Sequence, residues 1–425
     1  MATDAYTRLS IPLAAAVLLW PAVWNGYPIV FADTGTYLSQ AIHLYLGWDR
    51  PVFYSLALFV LHWKIALWPA IVAQALLAAW VLALTLRALS LDRRLLPPLA
   101  LGLSLLSWLP WLVCEIMPDS FTPLLALTLC LLALNHGGVP LILLTAFMIS
   151  SQQSSLPIAL TLIVALLIHR RTAWRRLLLP PILAAAALLA VNLIGHGRAS
   201  LSPYGNVFLL ARVIYDGPGM IVLRRDCPQA GWRLCPFLDR FPPTSDEFLW
   251  RADSPILLAG GHKAVSADAG AILSAALTAY PWTQARAVIA NAWEQLGRFR
   301  GGDGLEAWPN EVSPWIARDF PRREAAAYAA ARQQSGTLTL PTPLADLHDA
   351  VSILGIVICL LLLPRSLRRR DALAPFLFVS LIILPVSAVV TGGLSTPHDR
   401  YQSRIMWLPP CIAVLGLVMP RPPRR

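Results

Sequence analysis

The residues of this chain best placed to do chemistry are carboxylates and basic groups standing just outside long apolar runs. Foremost is Asp33, in Asn25-Gly-Tyr-Pro-Ile-Val-Phe-Ala-Asp33-Thr-Gly-Thr-Tyr37. No charged residue lies between Arg8 and Asp33, and the apolar run before it is long enough to cross a bilayer. Gly35 and the hydroxyls of Thr34, Thr36 and Tyr37 can orient a carboxylate and let a substrate approach. A carboxylate at a membrane edge can take a proton from an attacking hydroxyl or amine.

Other ionisable groups collect at the same level. The first loop adds His43, Asp49, Arg50, His62 and Lys64, and the second holds Glu115 and Asp119 in Cys114-Glu-Ile-Met-Pro-Asp-Ser120. Asp346, His348 and Asp349 precede a late apolar run, and His398, Asp399, Arg400, Tyr401 and Arg404 precede the last one. Carboxylates from two loops can make a general base, or a site for a hard divalent cation such as Mg or Mn with Asp33 and Asp119 as ligands. Arg50, Lys64, Arg400 and Arg404 can neutralise a phosphate at the lipid boundary. The plainer reading is that loop charges are solvated or pair with one another. Pro118-Asp119-Ser120 before an apolar run also reads as a helix N-cap.

Composition says what must hold these groups. The chain has 425 residues, is 57% hydrophobic and 13% charged, and has mean hydropathy +0.60. Apolar runs of membrane-helix length recur, so the fold expected is an all-α polytopic membrane protein. Ten spans are expected, at about 10–31, 66–88, 95–113, 121–135, 139–155, 156–169, 177–195, 346–364, 372–391 and 403–420. The 139–169 region reads as two short helices joined by the polar corner Ser150–Ser155, or as one kinked element. With two helices the N-terminus is cytoplasmic, and the cytoplasmic segments then hold 15 arginines against Asp4, Asp92 and Asp371. Their net charge is +12 in a chain of +11, so the other side is near neutral. That is the positive-inside bias, and it makes the basic tail a topology signal with no nucleic-acid partner.

Residues 1–195 and 346–425 are then two membrane modules, with both termini cytoplasmic. Residues 196–345 form one outer loop carrying 15 Lys+Arg and 13 Asp+Glu. Helices are expected there at 266–280 and 282–299, with an irregular, proline-rich first half. Gly301-Gly-Asp-Gly304 reads as a turn. In the first outer loop, residues 32–65, a short apolar run from Pro51 to Trp63 ringed by aromatics suggests helices lying at the outer interface. Cys227 and Cys235 fall in the large loop and suit a disulfide in an oxidising compartment such as a periplasm. The other four cysteines lie in or near apolar spans as packing residues. No Walker-type loop, GxSxG elbow, HExxH or CxxC occurs, which argues against cytosolic nucleotide chemistry.

The arrangement resembles the GT-C superfamily of membrane glycosyltransferases, of the protein-mannosyltransferase and aminoarabinose-transferase type. The resemblance rests on Phe31-Ala-Asp33 after the first helix, on Glu115 or Asp119 in the second outer loop, and on Asp399-Arg-Tyr401 before the final helix. It implies that Asp33 is the catalytic base and that Asp119 or Glu115 assists or binds metal. It also implies that basic residues hold the phosphate of a polyprenyl-phosphate sugar. Asp33 lacks the tandem acidic neighbour of many members, which leaves the cation requirement open. The expectation is a bacterial inner (plasma) membrane enzyme with its large loop periplasmic, moving a sugar to a lipid, glycan or protein acceptor with inversion. A lipid or sugar transporter is the main alternative, and a non-catalytic envelope assembly protein the other.

Overall fold

The structure is a computed structural model describing the backbone of residues 2–420 and side chains from residue 9 onward. The side chain of Arg8, and Arg421, Arg424 and Arg425 of the charge tally, lie outside the described residues. Within them the chain is helical, with one isolated parallel bridge between Ile29 and Glu115 and no longer strand.

Four helices are long and apolar enough to cross a membrane: Trp68–Ala88, Arg171–His196, Thr342–Arg369 and Leu373–Gly393. A fifth appears if Gly205–Tyr215 and Pro218–Ala230, bent by 97° at their junction, count as one span. The other expected spans are shorter, interrupted helices. The 10–31 run is divided between Ala2–Val17 and Trp20–Asn25, with Pro21 in the first turn of the second helix. The 95–113 run is divided at Ser107, which is extended (φ −151°, ψ 171°), and Pro110 then starts Leu109–Cys114. Proline needs no N–H in a first turn and clashes with a preceding one, so it restarts a helix where it cannot continue one. Residues 139–169 form two helices, Gly138–Ser150 and Ser155–His169, with the polar corner between them.

The expected irregularity of the proline-rich stretch after residue 203 is corrected by the same rule. It folds as helices Gly205–Tyr215, Pro218–Ala230, Ser245–Trp250 and Pro255–Leu258, two of them opening on proline. The expected pair at 266–280 and 282–299 appears as Gly261–Ala279 and Pro281–Gly297.

Two apolar cores result, and they divide the long hydrophilic stretch. Tyr204 to Ala276 bury a core of their own, stapled by a Cys227–Cys235 disulfide with a Cα–Cα distance of 5.3 Å. Leu305, Val312, Ile316, Phe320 and Tyr328 instead join the core of the apolar helices. The basic ends of two helices also meet: Arg170 Nη2 donates to the carbonyls of Arg370 and Asp371, each at 3.3 Å.

Candidate functional site

The first and second loops are stitched together beneath Asp33. Ile29 N–H donates to the Cys114 carbonyl at 2.9 Å, and Ile116 N–H returns to the Ile29 carbonyl at 2.8 Å. Thr34 Oγ1 accepts from Phe31 N–H at 2.9 Å and donates to the Ile116 carbonyl at 3.1 Å. Gln74, inside an apolar helix, steadies the second loop by donating to the Glu115 carbonyl at 2.8 Å. Gln333 pairs with both polar groups of the Val30 backbone, at 3.0 and 2.7 Å. With backbone groups satisfied this way, the loops need no long strand to stay rigid.

Asp33 ends this scaffold at the start of helix Thr34–Ile42 without capping it. Its Oδ1 accepts instead from Arg50 Nη2 at 2.7 Å. Gly35 is required by a close approach: a Cβ there would lie 1.9 Å from the Glu311 carbonyl oxygen. The hydroxyl of Thr34 thus serves the loop contact, while Gly35 admits the 311–315 segment beside the carboxylate.

Two cavities, of about 270 and 620 Å³, meet at Asp33. Asp49, Arg50, Arg400 and Tyr401 line both, together with Asp246 and Trp250 from the long hydrophilic stretch. Trp250 lies 5.7 Å from the Arg50 guanidinium and closes that side. Asp49 is almost buried, and burial pushes its carboxyl above the usual range although Arg50 pulls the other way. The smaller cavity is walled by Gln152, Gln153 and Ser154 and by Thr391. Thr391 lies in a π-helical turn, Ala388–Gly393, a local widening that often marks functional sites. The larger cavity adds Trp308, Trp315 and a set of carboxylates including Asp303, Glu306 and Glu311.

Arg400 is fixed by both its backbone and its side chain. Its backbone N–H donates to Asp303 Oδ2 at 3.0 Å, from the Gly301–Gly304 turn. Its guanidinium lies 3.9 Å over the Phe31 ring, and Nη1 is buried without a hydrogen-bond partner. The preceding His398 is pinned by Gln295, which accepts from its N–H at 2.9 Å and donates to its carbonyl at 2.8 Å. An arginine fixed in place with an unmet donor is suited to an anion.

Asp119 lies behind this wall. It lines neither cavity and is fully buried, with Oδ1 accepting from Arg404 Nη1 at 2.7 Å and from Gln152 Nε2 at 3.2 Å. Oδ2 stands 4.0 Å from Arg400 Nε. Burial alone would raise its carboxyl, but Arg400 and Arg404 outweigh that and hold it below the usual range. The N-cap alternative is overturned, because the side chain makes no cap hydrogen bond. Glu115 shifts the other way: burial, reinforced by Asp119, pushes it well above the usual carboxylate range. The two nearby carboxyls are thus pushed in opposite directions, Asp119 towards its charged form and Glu115 towards its protonated one.

Other expected groups fall elsewhere. Arg404, expected beside a phosphate, is instead sealed against Asp119 and lines neither cavity. Lys64 is exposed at the end of helix Val52–His62 and also lines neither cavity. The remaining charges largely pair, as the plainer reading expects: His43 with Asp319 at 2.8 Å, and Arg300 with Asp346 and Asp349 at 2.7 and 3.3 Å. Gln152, Gln153, Asp246 and Thr391 were not singled out by sequence. The polar corner at 150–155 was the one available signal for the first two.

Among the described residues no three His, Cys, Asp or Glu side chains gather to hold a metal. Asp33 Oδ1 already faces Arg50, and Asp119 already faces two guanidinium groups. The donor set present suits arginine as the counter-charge. Comparison with protein-family models, curated proteins and solved structures finds no match to this chain.

Proposed function

We propose that the chain is an integral-membrane glycosyltransferase of GT-C type, moving a sugar from a polyprenyl phosphate to a lipid, glycan or protein acceptor. The observation that supports it is the junction of two cavities where Asp33, Arg50, Arg400 and Tyr401 converge. In this reading the polar, arginine-bearing smaller cavity receives the donor phosphate. The larger one, with its tryptophans and carboxylates, receives sugar and acceptor. Asp33 takes the proton from the acceptor hydroxyl or amine as that atom attacks the anomeric carbon. The bond from that carbon to the phosphate oxygen breaks on the opposite face, giving inversion. Arg400 and Arg50 stabilise the charge growing on the leaving phosphate. Glu115, pushed towards its protonated form, assists without acting as base.

The membrane setting belongs to the same proposal. The shorter apolar helices complete about ten spans in a bacterial inner membrane. The basic helix ends are cytoplasmic, and the site, with the disulfide-bearing segment above it, is periplasmic. The helices of the first outer loop, Thr34–Ile42 and Val52–His62, lie at the outer interface.

The test is Asp33→Asn in membranes supplied with a polyprenyl-phosphate sugar. General-base help is worth about 10²–10⁴-fold, so transfer should fall by that factor at normal expression. Unchanged transfer would sink the base assignment. A transporter reading draws on the broken helices, in particular the 97° bend after Tyr215. It predicts labelled donor crossing proteoliposomes with no product formed, which the transferase reading does not.

A further inference from the structure

At the other end of the same helices lies a cavity that the transferase reading leaves unused. It has a volume of about 550 Å³ and sits between Ser155–His169 and Leu373–Ser387, where the long helix Thr342–Arg369 ends. Its apolar wall is Leu166, Ile168, Leu367, Pro375 and Phe378, and its rim is His169, Arg170, Arg171 and Arg370.

The rim carries an excess of positive charge. Arg170 spends Nη2 on two backbone carbonyls, and among the described residues no carboxylate forms an ion pair with Arg170, Arg171 or Arg370. The neighbouring acid Asp371 offsets part of that charge but turns toward its own helix. Asp371 Oδ1 accepts from the N–H groups of Leu373 and Ala374, at 3.1 and 3.2 Å, and from the Ser366 hydroxyl. Arg370 holds its place in a left-handed conformation, φ +53°, which a non-glycine residue rarely adopts. That turn ends the helix and brings residue 370 to the cavity. Beside the rim, Trp174 is half exposed with Arg175 stacked on it, as suits a bilayer interface.

Charge repulsion alone would spread three arginines apart. Here they share a pocket whose wall is apolar. Cations above an apolar wall match a phosphate diester carrying acyl chains. We propose that this cavity binds an anionic phospholipid, its headgroup phosphate on Arg170, Arg171 and Arg370 and one chain against Leu166 and Phe378. The proposal rests on the membrane orientation given above but not on the transfer chemistry.

The experiment uses the full chain purified in dodecyl maltoside, titrated with phosphatidylglycerol, phosphatidylcholine or inorganic phosphate, with retained lipid read by native mass spectrometry. Phosphatidylglycerol should be retained and phosphatidylcholine not, and phosphate should not compete at millimolar concentration. Each basic group is worth about fivefold near an anionic headgroup, so Arg170→Gln/Arg171→Gln/Arg370→Gln should weaken binding about 100-fold. Arg171→Gln alone, an exposed residue with no hydrogen bond to lose, gives about fivefold and covers a triple variant that fails to fold. Arg368→Gln/Arg369→Gln removes two charges from the same helix end outside the cavity and should leave binding unchanged. Equal retention of phosphatidylcholine, equal loss in the 368/369 variant, or displacement by phosphate alone would each overturn the proposal.

Discussion

Two carboxylate–arginine pairs flank Arg400, and they have the same contact distance but opposite surroundings. Asp33–Arg50 and Asp119–Arg404 are each 2.7 Å apart. The first pair keeps side-chain exposures of 15% and 19% at a cavity junction, whereas both members of the second are at 0%. A pair that water can reach is exchangeable, since either partner can trade the other for solvent or substrate. A sealed pair has no such alternative and behaves as a fixed strut. The strut ties the second loop to residues 400–404, beside the Arg400 guanidinium, while Asp33 stays at the cavity junction. Distance alone would have given both pairs one role, and burial separates them.

The largest expected difference is in stability. Arg404→Leu leaves Asp119 charged and buried without its closest partner, with only Gln152 and Arg400 at 4.0 Å remaining, which should cost about 3–5 kcal/mol in a detergent melt. A cost below about 1 kcal/mol would put the two pairs in one class. Acid offers a second way to break the comparison. Burial and the nearby Lys64 push His62 down to about 4, so its neutral form is the folded one. Stability from it is complete above pH 6.5 and is lost as pH falls from there towards 4, by up to about 3 kcal/mol. His62→Phe should flatten that slope. If the slope persists in the variant, the carboxylate pairs carry the acid sensitivity and the contrast between them must be redrawn.

Gly35→Ala should come next, at about 1–3 kcal/mol, because the new methyl meets the Glu311 carbonyl and pushes the 311–315 segment off Asp33. Activity in membranes should fall further than the melt. Equal wild-type activity would show that this close packing does not position the site. The smallest effect belongs to Asp33→Asn read by stability alone: less than about 1 kcal/mol, as for other solvent-reached pairs. A large loss of folding there would mean that Asp33 is itself a strut.

Much of the cast was visible in the sequence, and most of the pairing was not. Asp33 stood out because it ends a charge-free run, Arg50 and Arg400 because few cations lie at that edge, and Tyr401 because it follows Arg400 before the final helix. Nothing local distinguishes Arg404 from Arg400, yet one is sealed on Asp119, 285 residues away, and the other faces the cavity. Side-chain direction is decided by tertiary packing, which spacing along the chain does not encode. Four long apolar helices were legible because continuous hydropathy is a local property. The breaks at Ser107 and before Pro21 were not, since hydropathy averages across a kink without registering it. Asp246 and Trp250 were hidden in a hydrophilic stretch whose folding back onto the first loop is entirely non-local.

Gln333 has a temporal consequence. Its amide joins Val30, Gly304 and Glu306, and its backbone N–H meets Asn25 Oδ1 at 2.8 Å. The loop bearing Asp33 leaves the ribosome some three hundred residues before that glutamine and longer still before Arg400. At translation rates of about 5–20 residues per second, the nascent first loop waits roughly 15–70 s for the partners that order it. The Asp33 carboxylate is therefore among the earliest parts of this protein to be made and among the last to be finished.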